Sequence, residues 1–232
     1  MLIIKELQTY IEQFHILQGV EFEVPEGQVT VVLGRNGAGK TTTMRSIMGL
    51  TPAKAGEIIF QGENFTSLRP YEIAKKGIGY VPEDQDIFGS LTVEENIRVA
   101  MQKEDEATLS RQEWILSLFP DLKEAWKRKG GNLSGGQKQM LSIARALVNE
   151  TPLLLIDEPS KGLAPIMVEK VMEALQVIKE DTTVLLVEQN FMMASKMGDY
   201  FYILDEGQTV YQGEMQKLRD DHELRKKYLG IA

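Results

Sequence analysis

The segment Gly34-Arg35-Asn36-Gly37-Ala38-Gly39-Lys40-Thr41 constrains the fold of this chain more than any other stretch. It follows a strand-like run, Gln28–Leu33, and opens a stretch of helical character from Gly39 to Leu50. The spacing fits G-x-x-x-x-G-K-[ST] in the strand–loop–helix setting that gives the pattern its meaning. Successive backbone N–H groups must curl around an anion, and glycines are needed because side chains would block that approach. The helix N-terminus that follows favours negative charge. Lys40 supplies a point charge, and Thr41 offers a hydroxyl suited to Mg2+. The chain therefore needs an α/β core, and the loop, from Gly34 through Arg35, Asn36, Gly37, Ala38, Gly39, Lys40 and Thr41 to Thr42, is expected to hold the β- and γ-phosphates of a nucleotide.

Two further stretches add chemistry. Leu153–Glu158 reads as a buried strand ending in two carboxylates. Asp157 is placed to hold Mg2+, and Glu158 to orient or deprotonate an attacking water. Alone, such a pair is equally a solvated acidic turn; beside a phosphate loop it gains weight. Leu133-Ser134-Gly135-Gly136-Gln137 sets a Ser and two glycines at the start of a helix running to about Val148. Ser134 and the N–H groups of Gly135 and Gly136 form a second anion site. One loop already serves one triphosphate, so a second site makes sense if it meets the nucleotide held by another subunit. In isolation the stretch is simply a Ser N-cap with glycines.

Composition narrows the partners. The chain has 232 residues, enough for one large domain or a domain with an inserted subdomain. Its net charge of −8 argues against broad nucleic-acid binding, which needs clustered Lys and Arg. There is no cysteine, hence no disulfide framework or thiolate metal site. Met1 leads into Leu2-Ile3-Ile4-Lys5 with no secretory pattern, and the apolar runs near Val29–Leu33 and Leu153–Ile156 fall far short of the roughly 18–20 residues that span a bilayer. A membrane role would require docking to another chain.

The chain reads as β at its start, with runs Leu2–Thr9, Val20–Val24 and Gln28–Leu33 and a turn at Pro25-Glu26-Gly27. A strand Glu57–Phe60, a helix Pro70–Lys76 and a strand Ile78–Val81 follow. From Thr92 to about Lys129 the signals are mostly helical, beginning with a capping box of Thr92 and Glu95. A helical subdomain is expected over 84–151, inserted between core segments 1–83 and 152–232. Beyond it lie a strand Leu153–Ile156, a helix Met167–Lys179, a strand Thr183–Val187, a hairpin of Phe201–Leu204 and Gln208–Tyr211, and a terminal helix His222–Leu229.

Taken together, these motifs resemble the nucleotide-binding subunits of ATP-binding cassette (ABC) transporters, over essentially the whole chain. The resemblance implies the α/β fold of ABC-type P-loop NTPases, with a mixed β core, an antiparallel β subdomain and an inserted helical subdomain. It implies a head-to-tail dimer with two ATPs, each between the P-loop of one subunit and Ser134–Gln137 of the other. Within the superfamily the chain is most similar to the smaller, LivF-type ATPase of branched-chain amino-acid importers. Tyr80-Val81-Pro82-Glu83, Leu91-Thr92-Val93-Glu94-Glu95-Asn96, Gly162-Leu163-Ala164-Pro165 and Val187-Glu188-Gln189-Asn190 carry that likeness. Urea and short-chain amide importers share much of it. The implied cofactors are ATP and Mg2+. The implied partners are integral membrane permease subunits, a second ABC ATPase of the same or another kind and, indirectly, a solute-binding protein, with the chain peripheral at the cytoplasmic face of the membrane.

Three positions depart from the superfamily pattern. Glu83 stands where most members have Gln, in the loop that senses the γ-phosphate and meets the membrane subunit; it still accepts a hydrogen bond or coordinates Mg2+, with added negative charge. Ala164 replaces an Asp that contacts the other subunit. Gln189 replaces a His and reaches the γ-phosphate through its amide N–H without carrying a proton. The family also stacks an aromatic residue on adenine about two dozen residues before the P-loop. Tyr10 is the best candidate, Phe14 the second, and Ile11 an apolar substitute. The competing readings are a soluble ABC protein acting as a nucleotide-dependent assembly switch, and an exporter ATPase, against which Gln189 counts.

Overall fold

The computed structural model describes residues 1–230. Strands β1 (Leu2–Ile11) and β2 (Phe14–Val24) pair antiparallel. They bury alternate residues, Leu2 and Ile4 on one and Val20, Phe22 and Val24 on the other, as a half-buried sheet requires. The alternation slips by one residue at Glu6, where a φ of 48° and a register shift mark a bulge, so that Leu7 and Thr9 still point inward. Strand β3 (Val29–Leu33) then leads through the glycine-rich loop into helix α1 (Lys40–Ile47). Strands β4 (Ala55–Phe60) and β5 (Glu63–Asn64) return to complete a four-stranded sheet in the order β2-β1-β4-β5.

Helix α2 (Pro70–Lys75) and strand β6 (Ile78–Val81) precede a run of helices: α3 (Val93–Ala100), α4 (Glu106–Leu118), α5 (Pro120–Glu124) and α6 (Gly135–Leu147). The chain then alternates through β7 (Leu153–Asp157), α7 (Pro165–Ile178), β8 (Thr183–Val187) and α8 (Phe191–Met197). It ends in the hairpin β9 (Tyr200–Asp205) and β10 (Gln208–Glu214), then α9 (Met215–Asp220) and α10 (His222–Leu229). The second sheet has the order β10-β9-β3-β8-β7-β6, parallel except for β10.

Central strands β3, β7 and β8 are buried on both faces, which explains why their sequence is apolar except at Thr30, Thr183 and Asp157. On one face Val32, Leu153, Leu155, Leu185 and Val187 meet Met44 and Ile47 of α1 and, beyond them, the inner face of the antiparallel sheet. On the other face Val31, Leu154, Ile156, Val184 and Leu186 meet α6, α7 and α8. That core continues through α6 to Ile115, Phe119 and Leu122, so the helical run shares the apolar interior of the sheet. Gly136, in the first turn of α6, packs directly under Met167 of α7: a Cβ added there would lie 2.1 Å from Met167 Cε. Leu154→Ala is expected to cost about 2–5 kcal/mol, because the fully buried site cannot collapse around the cavity left. Equilibrium denaturation in urea reads this directly.

Several elements differ from their sequence-derived bounds. The first two strands are longer, since their pairing persists past the apolar residues that signalled them. Helix α7 begins at Pro165, whose fixed φ suits the first helical turn, rather than at Met167. Helices α8 and α9 were not expected; the first is capped by Asn190, whose Oδ1 accepts from the Met193 N–H at 3.3 Å.

Candidate functional site

Strands β3, β6, β7 and β8 all run parallel, and their carboxyl ends bring the predicted residues to one edge of the sheet. β3 delivers the loop Gly34–Thr41, β6 is followed by Glu83, β7 ends at Asp157 and is followed by Glu158, and β8 is followed by Glu188 and Gln189. Asn36, Gly37, Gly39, Lys40, Thr41, Thr42, Glu83, Glu158 and Gln189 line one cavity of about 310 Å³, together with Ile16 and Lys161. Gly39 caps α1 with φ 100° and ψ 6°, and a Cβ there would fall 2.7 Å from the Leu17 side chain. No side chain caps the N-terminus of α1, which leaves its first-turn N–H groups to face an anion.

Lys40 is buried and held at both ends of its reach. Its Nζ donates to the Gly34 carbonyl at 2.9 Å and the Arg35 carbonyl at 3.1 Å, and lies 3.4 Å from Glu158 Oε1. Glu158 itself sits at φ 47°, a left-handed conformation unusual for a residue with a side chain. The turn aims its carboxylate back at the loop. Gln189 Nε2 donates to Glu158 Oε1 at 2.6 Å and to Asn36 Oδ1 at 2.5 Å, so one amide bridges the ends of β3, β7 and β8.

Asp157 is 0% exposed, and both its carboxylate oxygens lack a hydrogen-bond partner. Burial pushes its carboxyl up to about 6. The neighbouring Thr41 hydroxyl pulls the other way without reaching hydrogen-bond geometry. A buried, unpaired carboxylate next to a hydroxyl is a costly arrangement for a protein alone and a fitting one for a divalent cation. Among the described residues no group of three His, Cys, Asp or Glu side chains forms a metal cage. An ion held by Asp157 and Thr41 would complete its shell with phosphate oxygens and water, as Mg2+ does.

Three contributors escaped the sequence reading. Glu188 is buried, which raises its carboxyl, and it accepts from the Ser160, Gln189 and Asn190 N–H groups at 3.0, 2.9 and 2.8 Å. It thereby ties the turn after β7 to the turn after β8. Lys161 forms an ion pair with Glu83. Ile16 gives the cavity an apolar wall. The only local signal for any of them was an acidic residue directly after an apolar strand.

Gly34, Arg35, Ala38 and Asp157 are not among the residues lining this cavity, and neither are Leu133–Gln137 or Tyr10. Leu133 is buried, whereas Ser134 and Gly135 are exposed at the start of α6. Ser134 Oγ accepts from the Gln137 N–H at 3.2 Å, and Gln137 Oε1 accepts from the Ser134 N–H at 3.1 Å. The cap uses a lone pair of the hydroxyl and leaves its O–H to donate outward. Tyr10 lies near the end of the β1–β2 hairpin, stacked on His15 with centroids 4.2 Å apart, and is 42% exposed. Ile16, not Tyr10, faces the phosphate loop.

Comparison with known proteins decides the family. A model described as ABC transporter matches residues 17–161, from Leu17 in β2 through the phosphate loop and α6 to the turn after Glu158. The chain belongs to the ABC transporter family. This ABC protein is 39% identical to the high-affinity branched-chain amino acid transport ATP-binding protein BraG of Pseudomonas aeruginosa, over 99% of its own length and 100% of BraG. It is 36% identical to a probable branched-chain amino acid transport ATP-binding protein, LivF, of Archaeoglobus fulgidus, over 98% of each chain. Its fold matches the crystal structure of a nucleotide-free ATP-binding cassette from an ABC transporter with a TM-score of 0.85 and 25% identity, covering 100% and 98% of the two chains. A cassette in its ADP conformation gives a TM-score of 0.83 at 26% identity, covering 99% and 98%. The ABC protein is thus a nucleotide-binding ATPase of a transport system, with the α/β cassette fold. No helix among its described residues is long and apolar enough to cross a membrane.

Proposed function

We propose that this ABC ATPase drives uptake of branched-chain amino acids, or of a related small polar solute, by closing and reopening a head-to-tail dimer around two ATPs. The observation that carries the import reading is the full-length likeness to BraG and LivF. The catalytic part of the reading rests on the pairing of Lys40 and Glu158 above the buried Asp157. Entering phosphates take Lys40 and the loop N–H groups, and thereby compete with Glu158 for the lysine. Freed, Glu158 accepts the proton of the attacking water as the water oxygen bonds to the γ-phosphorus and the bridging oxygen leaves with ADP. Thr41, Asp157 and Glu83 would hold Mg2+, which would offset charge on the phosphate oxygens. Gln189, already bonded to Glu158 and Asn36, orients toward the γ-phosphate. The second subunit contributes its Leu133–Gln137 stretch, with the Ser134 hydroxyl and the Gly135 and Gly136 N–H groups as donors. Tyr10 and Ile16 are the candidate contacts to adenine.

A groove of about 370 Å³ between β6 and α6 supports a permease-docking role. Tyr80, Pro82, Gln85, Ser142 and Arg145 are among its walls, and Pro82 is the immediate neighbour of Glu83. A chain pressed into that groove therefore bears directly on the segment that carries Glu83. Capture of tagged Glu158→Gln protein from its native cells, in mild detergent with Mg-ATP, tests the assignment. Recovery of multi-span permease chains and a second ABC ATPase supports it. Recovery of soluble partners alone would replace it with a nucleotide-switched assembly component.

A further inference from the structure

Lys161 belongs to none of the motifs, yet it stands in the site. It lies in the turn after Glu158, and its Nζ pairs with Oε1 of Glu83, a residue 78 positions away in sequence. The turn that presents it is fixed from two sides. The Lys161 N–H donates to the Glu158 carbonyl at 3.1 Å, and the preceding Ser160 N–H donates to buried Glu188 at 3.0 Å. Lys161 lines the cavity at the phosphate loop and also a neighbouring one of about 300 Å³, shared with Asn36, Glu158 and Gln189.

Charge gives this placement a purpose. Glu83 and Glu158 set two carboxylates on the wall of the cavity a polyphosphate must enter, with the buried Asp157 next to Glu158 in the chain, and Lys40 is engaged with Glu158. Glu83 has no other ion pair than Lys161 among the described residues. Left uncompensated, its carboxylate would repel the incoming anion across a concave wall, where fields are focused.

We propose that Lys161 is a positioning residue that holds Glu83 against the cavity wall and cancels its charge, so that the site accepts a polyphosphate before a divalent cation arrives. The proposal rests on the nucleotide reading of the cavity. Exposed ion pairs contribute little to stability, so this one acts on ligand affinity rather than on folding.

Equilibrium binding of ATP, in EDTA and again in millimolar Mg2+, tests it on the full chain with Lys161→Ala, Lys161→Arg, Glu83→Gln and the Lys161→Ala/Glu83→Gln pair. Lys161→Ala is expected to weaken ATP binding in EDTA by about three- to tenfold, with a smaller loss in Mg2+. Lys161→Arg should stay within about twofold of the native chain. In the Glu83→Gln background the same Lys161→Ala change should matter by less than about twofold, the non-additivity expected of residues acting through one another. An unchanged affinity for Lys161→Ala, or an equal loss with and without the Glu83 carboxylate, would overturn the proposal; the latter would make Lys161 a direct ligand contact. Absence of ATP binding by the native chain would instead remove the nucleotide reading on which the proposal stands.

Discussion

Glu158→Gln is expected to lower ATP turnover by about 10²–10⁴-fold while leaving nucleotide binding intact. The amide keeps an oxygen for the Gln189 N–H that now bonds Glu158 at 2.6 Å. It cannot take a proton, and it no longer competes with phosphates for Lys40, which lies 3.4 Å from Glu158 in the free protein. Binding should therefore be retained or strengthened as turnover collapses, and the ATP-bound dimer should accumulate. Phosphate release measures the first effect, and size-exclusion chromatography in Mg-ATP the second. Native turnover in the variant would exclude Glu158 as the base.

Asp157→Asn should act in opposite directions on activity and on the stability of the nucleotide-free chain. Both Asp157 oxygens are buried without partners, and burial raises the carboxyl to about 6 from an ordinary 3.8. A carboxyl raised on folding contributes stability that is fully present below its unfolded value near 3.8 and is lost as pH rises through about 6. At pH 7.5 the free protein thus carries a buried charge whose removal is worth up to about 3 kcal/mol. Asn removes that charge, so the variant should unfold at higher urea than the native protein at pH 7.5, and the two should converge near pH 4. Its ATP turnover should fall by at least about 10²-fold, because the buried anion beside Thr41 is gone. A variant no more stable than the native chain at pH 7.5 would show that the carboxylate finds a partner in the free protein.

What the sequence disclosed follows from how far each constraint reaches along the chain. Strands β6 and β8 end where their apolar runs end, at the buried residues Val81 and Val187. Thr92 and Glu95 form the expected capping box, with the Glu95 N–H donating to Thr92 Oγ1 at 3.2 Å. The seven residues of α8 and six of α9 are too few to show a helical period, so only Asn190 marked either of them. The phosphate loop and the carboxylates after β7 are local patterns and were visible as such. The bridge from Gln189 to Asn36 spans 153 residues, and nothing local to either announces it. The same holds for Lys161, which reads as an exposed turn residue until the parallel strands set it beside Glu83.

The contact of Gly136 with Met167 has an oxidative consequence. The chain contains eleven methionines and no cysteine, so thioethers are its reactive sulfur. Met167 lies over the first turn of the helix that opens with Ser134, its pliable, apolar side chain packed directly on Gly136. Its sulfoxide would put a polar, stiffer group into that joint. Peroxide should therefore slow turnover in a protein with no thiol to protect, methionine sulfoxide reductases should restore it, and Met167→Leu should retain most of its rate under the same exposure. A transporter motor built this way would register oxidative stress through the packing of two helices rather than through its catalytic groups.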